Sequence, residues 1–270
     1  MVALILLSLQ YSSSAAVITS DLTAPGSGVL INGADFQQSG GQPAGSGVIN
    51  SFLRVQNTGV EQGYNTDEKT APPGPHLPFD GKAGVSLNNG DVSVSSLAAT
   101  QVTFLTTTYY AFALDIDESM GGTDALGNPN SQITLDRFQL YTSPDHHQIT
   151  ESFLGNGDLA LTNATKRYDM DSASADHAIL LDNATVRGGN GNFDMFVLVP
   201  TSFFAGANAT DAFYLYCKFG LADQASSSFE EWGLAQGFNF TNVLVPEPAS
   251  LSLAGFAMLA LTTRRRSRVA

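Results

Sequence analysis

Apolar and polar residues alternate over several short stretches of the chain. Phe112, Leu114 and Ile116 interleave with Ala111, Ala113, Asp115 and Asp117; Phe213, Leu215, Cys217 and Phe219 interleave with Tyr214, Tyr216 and Lys218. Met195, Val197 and Val199 repeat the spacing. Strand side chains point alternately to two faces, so period two predicts strands with one packed and one solvated face. Further strands are expected over 48–55, 92–97, 133–141 and 177–181. In the third the apolar parity changes, from Ile133 and Leu135 to Phe138 and Leu140. A bulge at Asp136-Arg137 would return both pairs to one face. A short helical period falls at 226–235, and 57–90, rich in Gly, Pro and Asn, reads as a long surface loop stiffest at 71–75. Many short strands between Gly, Asn and Pro turns predict an all-β fold over 17–245, a jelly-roll-like β-sandwich.

Composition supports a packed body. Hydrophobic residues are 43% of the 270, enough for a core, while charged residues are only 14%. The single cysteine, Cys217, excludes an internal disulfide framework. Charge is uneven: Arg264, Arg265, Arg266 and Arg268 are four of twelve basic residues, and all 25 acidic residues precede position 248. Without those four arginines, eight basic residues face 25 acidic ones, a balance of −17. Such a body repels nucleic acid and anionic membranes, and it tolerates cations. Acidity also simply keeps a surface protein soluble.

Both ends carry targeting features. Val2 to Leu9 is apolar, and Ser14-Ala15-Ala16 places small residues where signal peptidase cuts, after Ala16. No Lys or Arg precedes the apolar run, so 1–16 reads as a truncated signal peptide or as a hydrophobic N-terminal strand. At the other end three parts follow in order: Val245-Pro246-Glu247-Pro248, the uncharged stretch 249–263, and the arginine cluster. Two prolines around Glu247 hold the backbone extended, a form that a protease cleft accepts. The apolar stretch suits lipid, although about 20 residues are usual for a span. The arginines hold their end on the cytoplasmic side as a membrane stop. A plain C-terminal anchor would share these parts.

In this order and place the three parts, 246–270, resemble the PEP-CTERM sorting signal. The resemblance implies a Gram-negative host that makes extracellular polysaccharide. It implies passage through the inner membrane and cleavage near Pro246-Glu247-Pro248 by an exosortase-type membrane protease, with the body then at the cell surface or in the matrix. Phe112-Ala113-Leu114-Asp115-Ile116-Asp117-Glu118, 133–140, Asp194-Met195-Phe196-Val197 and Phe229-Glu230-Glu231-Trp232-Gly233 are similar to exported domains often joined to such tails. That implies a β-rich extracellular module without an assigned reaction.

Catalytic signatures are sparse. The chain has no Gly-x-Ser-x-Gly elbow, Walker loop, His-Glu-x-x-His helix or paired-cysteine metal motif. His146 and His147 are adjacent, and neighbouring side chains usually point apart. Calcium takes six to eight oxygens. Asp115, Asp117 and Asp136 are the candidate ligands of a structural calcium site, against solvated strand ends; Asp169, Asp171 and Asp176 repeat the acidic spacing. Trp232, the only tryptophan, is a candidate glycan platform or a core residue. The four Asn-x-Thr sites, at Asn163, Asn183, Asn208 and Asn239, read as turn chemistry. Two functions stay open. One is a non-enzymatic surface or matrix protein that binds glycan or calcium; the other is a carbohydrate-active lyase or glycosidase, which needs a cleft with converging catalytic groups.

Overall fold

The computed structural model describes residues 16–40, 51–66, 77–81, 92–185, 193–238 and 240. The expected signal peptide, the sorting segment 246–270, the proline-rich 71–75 and Asn239 lie outside them, save Ala16. The first strands are β1 (Val17–Asp21), β2 (Gly28–Ile31), β3 (Ala34–Gln38), β4 (Ser51–Val55), β5 (Thr58–Gly59) and β6 (Glu61–Tyr64). The middle of the chain gives β7 (Val92–Ser93), β8 (Gln101–Phe104), β9 (Thr107–Ile116), β10 (Gln132–Ser143), β11 (Thr165–Asp169) and β12 (Asp176–Asp182). The last are β13 (Met195–Pro200), β14 (Ala212–Phe219), β15 (Ala225–Ser226) and β16 (Glu230–Leu234).

These strands form two seven-stranded sheets and one small ribbon. The first sheet runs β1-β12-β10-β14-β6, with β11 on β10 and β7 on β14; the second runs β2-β3-β13-β9-β16-β4, with β8 on β9. Strands β5 and β15 pair separately. Pairing within the sheets is antiparallel except between β1 and β12. Between β2 and β3 the two-residue turn Asn32-Gly33 has φ of 47° and 87°, the left-handed pair that a tight hairpin requires.

One core fills the space between the sheets, which makes the architecture an all-β sandwich. Phe138, Leu140, Phe213 and Leu215 from the first sheet meet Phe36, Phe112, Leu114 and Trp232 from the second. The parity change in β10 is a bulge: Leu135 pairs with Phe219 and Arg137 with Lys218, so Asp136 is the extra residue. Ile133, Leu135, Phe138 and Leu140 therefore all reach the core.

The outer faces differ from the expectation of a solvated side. Tyr64, Tyr141, Tyr214 and Tyr216 are buried outside the first sheet, where Leu159 and Phe79 cover them. Ala111, Ala113, Phe196 and Leu198 are buried outside the second, with Phe193, Ala235, Phe238 and Phe240 packed on them. Three local expectations are corrected. Residues 58–64 are not loop but β5 and β6, held because Tyr216, Cys217, Lys218 and Phe219 provide ladder partners for 61–64. Within 92–97 only Val92–Ser93 is strand, and Val94–Thr100 coils into a 3₁₀ helix that buries Val94 and Leu97. Within the expected helical period at 226–235, Glu230–Leu234 is strand β16, seated between β9 and β4. The sequon asparagines sit in turns: Asn163 has φ 48°, Asn183 opens a 3₁₀ turn and Asn208 hydrogen-bonds Asp211.

Candidate functional site

The most unusual chemistry lies where β9, β16 and β6 end together. Leu114, Ile116, Trp232 and Val55 face the core, so alternation turns Asp115, Glu231 and Arg54 outward. Register places Arg54 beside Glu231, and Glu231 beside Asp115. Arg54 and Glu231 form an ion pair. Asp194, just before β13, adds the next carboxyl in this row. Its Oδ2 accepts the Ile116 N–H at 2.7 Å, and its carboxyl lies beside that of Asp115. Burial first, then the Asp115 charge, push Asp194 well above the usual carboxylate range. One proton between the two acids satisfies both, because two charges so close cannot both ionise.

On the inner face of the same strands lies a second acidic group. Glu230 is the inward neighbour of Val55 and Ile116, at 0% exposure. Glu61 reaches it from β6 of the opposite sheet at 0% exposure, and Glu118 from the end of β9 at 2%. Glu61 Oε2 accepts the Asn57 N–H at 2.8 Å, and Glu118 Oε2 accepts the Ser226 N–H at 2.8 Å. The remaining four oxygens, Glu61 Oε1, Glu118 Oε1 and both of Glu230, receive no N–H or hydroxyl. Burial raises Glu61 to about 7 and Glu118 above its ordinary value. Burial and both neighbouring carboxyls drive Glu230 far upward.

The candidate calcium residues are not brought together. Asp136 belongs to the first sheet and Asp115 to the second. Asp136 Oδ2 accepts the Leu221 N–H at 2.8 Å and the Thr134 hydroxyl at 3.3 Å, and Asp115 is engaged with Asp194. Asp117 is half-buried beyond the end of β9. Among the described residues no group of three His, Cys, Asp or Glu is arranged to hold a metal. Asp115, Asp117 and Asp136 thus lie apart in this structure. Asp169 and Asp171 are likewise committed, Asp169 to Lys166 at 2.7 Å and Asp171 to Arg137 at 3.8 Å and the His177 N–H at 2.7 Å.

Trp232 lies in the core. It is fully buried, its ring 5.0 Å from Phe138, and no face is open to a sugar. His146 and His147 line an open surface groove, with His146 Nε2 at 3.0 Å from the Thr210 carbonyl. Asp145 is the one acid of that lining and accepts the Asn163 side-chain amide at 2.8 Å. The groove thus brings no pair of carboxylates together. Sequence reasoning singled out Asp115 but not Asp194, Glu61 or Glu230. Partners so distant in sequence leave no spacing signal; the only hint was a glutamate at an inward parity position.

The described fold therefore defines an all-β module, and a short segment beyond it matches a known family model. Residues 244–266 match the family model for the PEP-CTERM protein-sorting motif. The motif marks an exported protein with a C-terminal, membrane-associated sorting tag, whose processing partner is an exosortase-type enzyme. No curated protein and no solved structure matches the chain. No helix among the described residues is long and apolar enough to cross a membrane, and 249–263 lies outside them.

Proposed function

We propose that the chain is the precursor of an extracellular structural protein. Residues 1–16 start its export, 249–263 hold it briefly in the inner membrane, and the four arginines keep the end inside. An exosortase then cuts near Pro246-Glu247-Pro248 and frees the jelly-roll-like body, 17–245, to the surface or polysaccharide matrix of a Gram-negative cell. The body acts there without catalysis. The match at 244–266 carries this reading. The acidic body and its low charge content fit a soluble surface module that stays off nucleic acid.

The test is the intact mass of the protein recovered from its native host, beside a variant with Pro246→Ala, Glu247→Ala and Pro248→Ala. Wild type that lacks the segment beyond the motif, with a variant that keeps it, supports processing. An intact tail in both leaves a plain membrane-anchored β protein and overturns the reading.

A further inference from the structure

The inner carboxyl group plays no part in sorting, yet its chemistry makes a demand. Glu61 comes from one sheet and Glu230 from the other, and Glu118 flanks Glu230. None of the three pairs with Lys, Arg or His among the described residues. Among the described residues, what faces them from other elements offers no cation. Asp80 adds negative charge beside Glu61, Cys217 of β14 lies near Glu61 with a thiol kept neutral by burial, and β4 and β9 present Val55 and Ile116. Three carboxylates in such a place would carry a large uncompensated desolvation cost, and a buried acid answers by keeping its proton. Acids in contact then share protons as one titrating unit.

We propose that Glu61 and Glu230, flanked by Glu118, form a proton-filled clasp between the two sheets, closed while the carboxyls share protons and opened when alkaline surroundings remove them. A shared proton makes Glu230 a donor across the sandwich; its loss leaves only repulsion. The acid-stable, alkali-sensitive end is the one built from β5, β6, β15 and β16. The sign follows from linkage. Unfolded glutamates release their protons near about pH 4.3, whereas the fold retains them up to Glu61's value of about 7 and beyond at Glu230. Stability is complete below the unfolded value and falls as pH rises through the folded ones.

The experiment is urea unfolding of the protein recovered from its host, in EGTA, from about pH 5 to about pH 9, for wild type and Glu230→Gln. Each proton held by the fold and not by the unfolded chain raises the unfolding constant about tenfold per pH unit. Wild type should therefore climb more steeply than Glu230→Gln, by about tenfold per pH unit between roughly pH 5 and 7. The neutral amide also offers N–H groups to both flanking carboxylates, so the variant should be the more stable one at the alkaline end. Should Glu230→Gln fail to fold, Glu61→Gln carries the same comparison. Infrared spectra of wild type should also show the carbonyl band of protonated carboxyls near pH 6. Equal slopes, or no such band, overturn the clasp. So does calcium chloride that abolishes the wild-type slope, since a cation and not protons would then fill the cluster.

Discussion

Phe112 and Phe213 stack across the sandwich with ring centroids 5.3 Å apart and planes only 9° from parallel. One belongs to β9 of the second sheet and the other to β14 of the first. Phe52 and Phe204 pack on Phe213 as well, at 6.1 and 6.2 Å. Phe213→Ala opens a cavity that three neighbouring rings cannot collapse into, and should cost about 3–5 kcal/mol. Urea denaturation should show this as a lower midpoint with an unchanged slope. A loss below about 1 kcal/mol would mean that the sheets do not depend on this contact.

How much of this was legible depended on whether the core residues of a strand were apolar. In β9 and β14 they are, and the alternation located both strands. The bulge in β10 was legible because Asp136 interrupts an otherwise regular parity. β6 was not, since Glu61-Gln62-Gly63-Tyr64 presents a glutamate and a glycine to the interior. β16 was mistaken for the same reason: Glu230 occupies an inward position ahead of Trp232. The residues that hid these strands are the ones that build the inner carboxyl group. Asp115 and Asp117 were noticed as neighbours in sequence, but the fold assigns Asp115 to Asp194, 79 positions on.

Gly220 marks another close approach. It follows β14 with φ of 91°, and a Cβ there would lie 2.1 Å from the Gly59 carbonyl oxygen. Its N–H donates to the Thr134 carbonyl at 2.9 Å, so the backbone is held on its other side. Gly220→Ala meets a left-handed backbone that costs about 1–3 kcal/mol for a side chain, with the overlap added. The substitution should lower the melting temperature by several degrees, at about 2–4 °C per kcal/mol for a domain of this size. An unchanged melting temperature would show that β5 moves away freely.

Asp136 links the bulge to pH. Burial raises it to about 6, against the Leu221 N–H and Thr134 hydroxyl that favour its charge. The fold therefore keeps a proton that the unfolded chain loses near about pH 3.9, and stability from this group falls as pH rises through about 6. Asp136→Asn retains an oxygen for Leu221 without a charge. It should flatten stability between about pH 4 and 6 and add on the order of 2 kcal/mol at neutral pH. A variant less stable than wild type at neutral pH would mean that the charged form is the one that the Leu221 turn requires.

Trp232 offers a readout that needs no substitution. It is the one tryptophan in the chain, so emission excited at the indole reports this site alone. Its ring is buried against Phe138 inside the core. Emission should therefore be blue-shifted and poorly quenched by acrylamide, and added exopolysaccharide should leave it unchanged. Trp232→Ala should cost about 3–5 kcal/mol as a core truncation, while Trp232→Phe should cost less, because a ring still fills most of the space. Emission that shifts on polysaccharide addition, in a protein that stays folded, would place the indole at a glycan surface and contradict its burial.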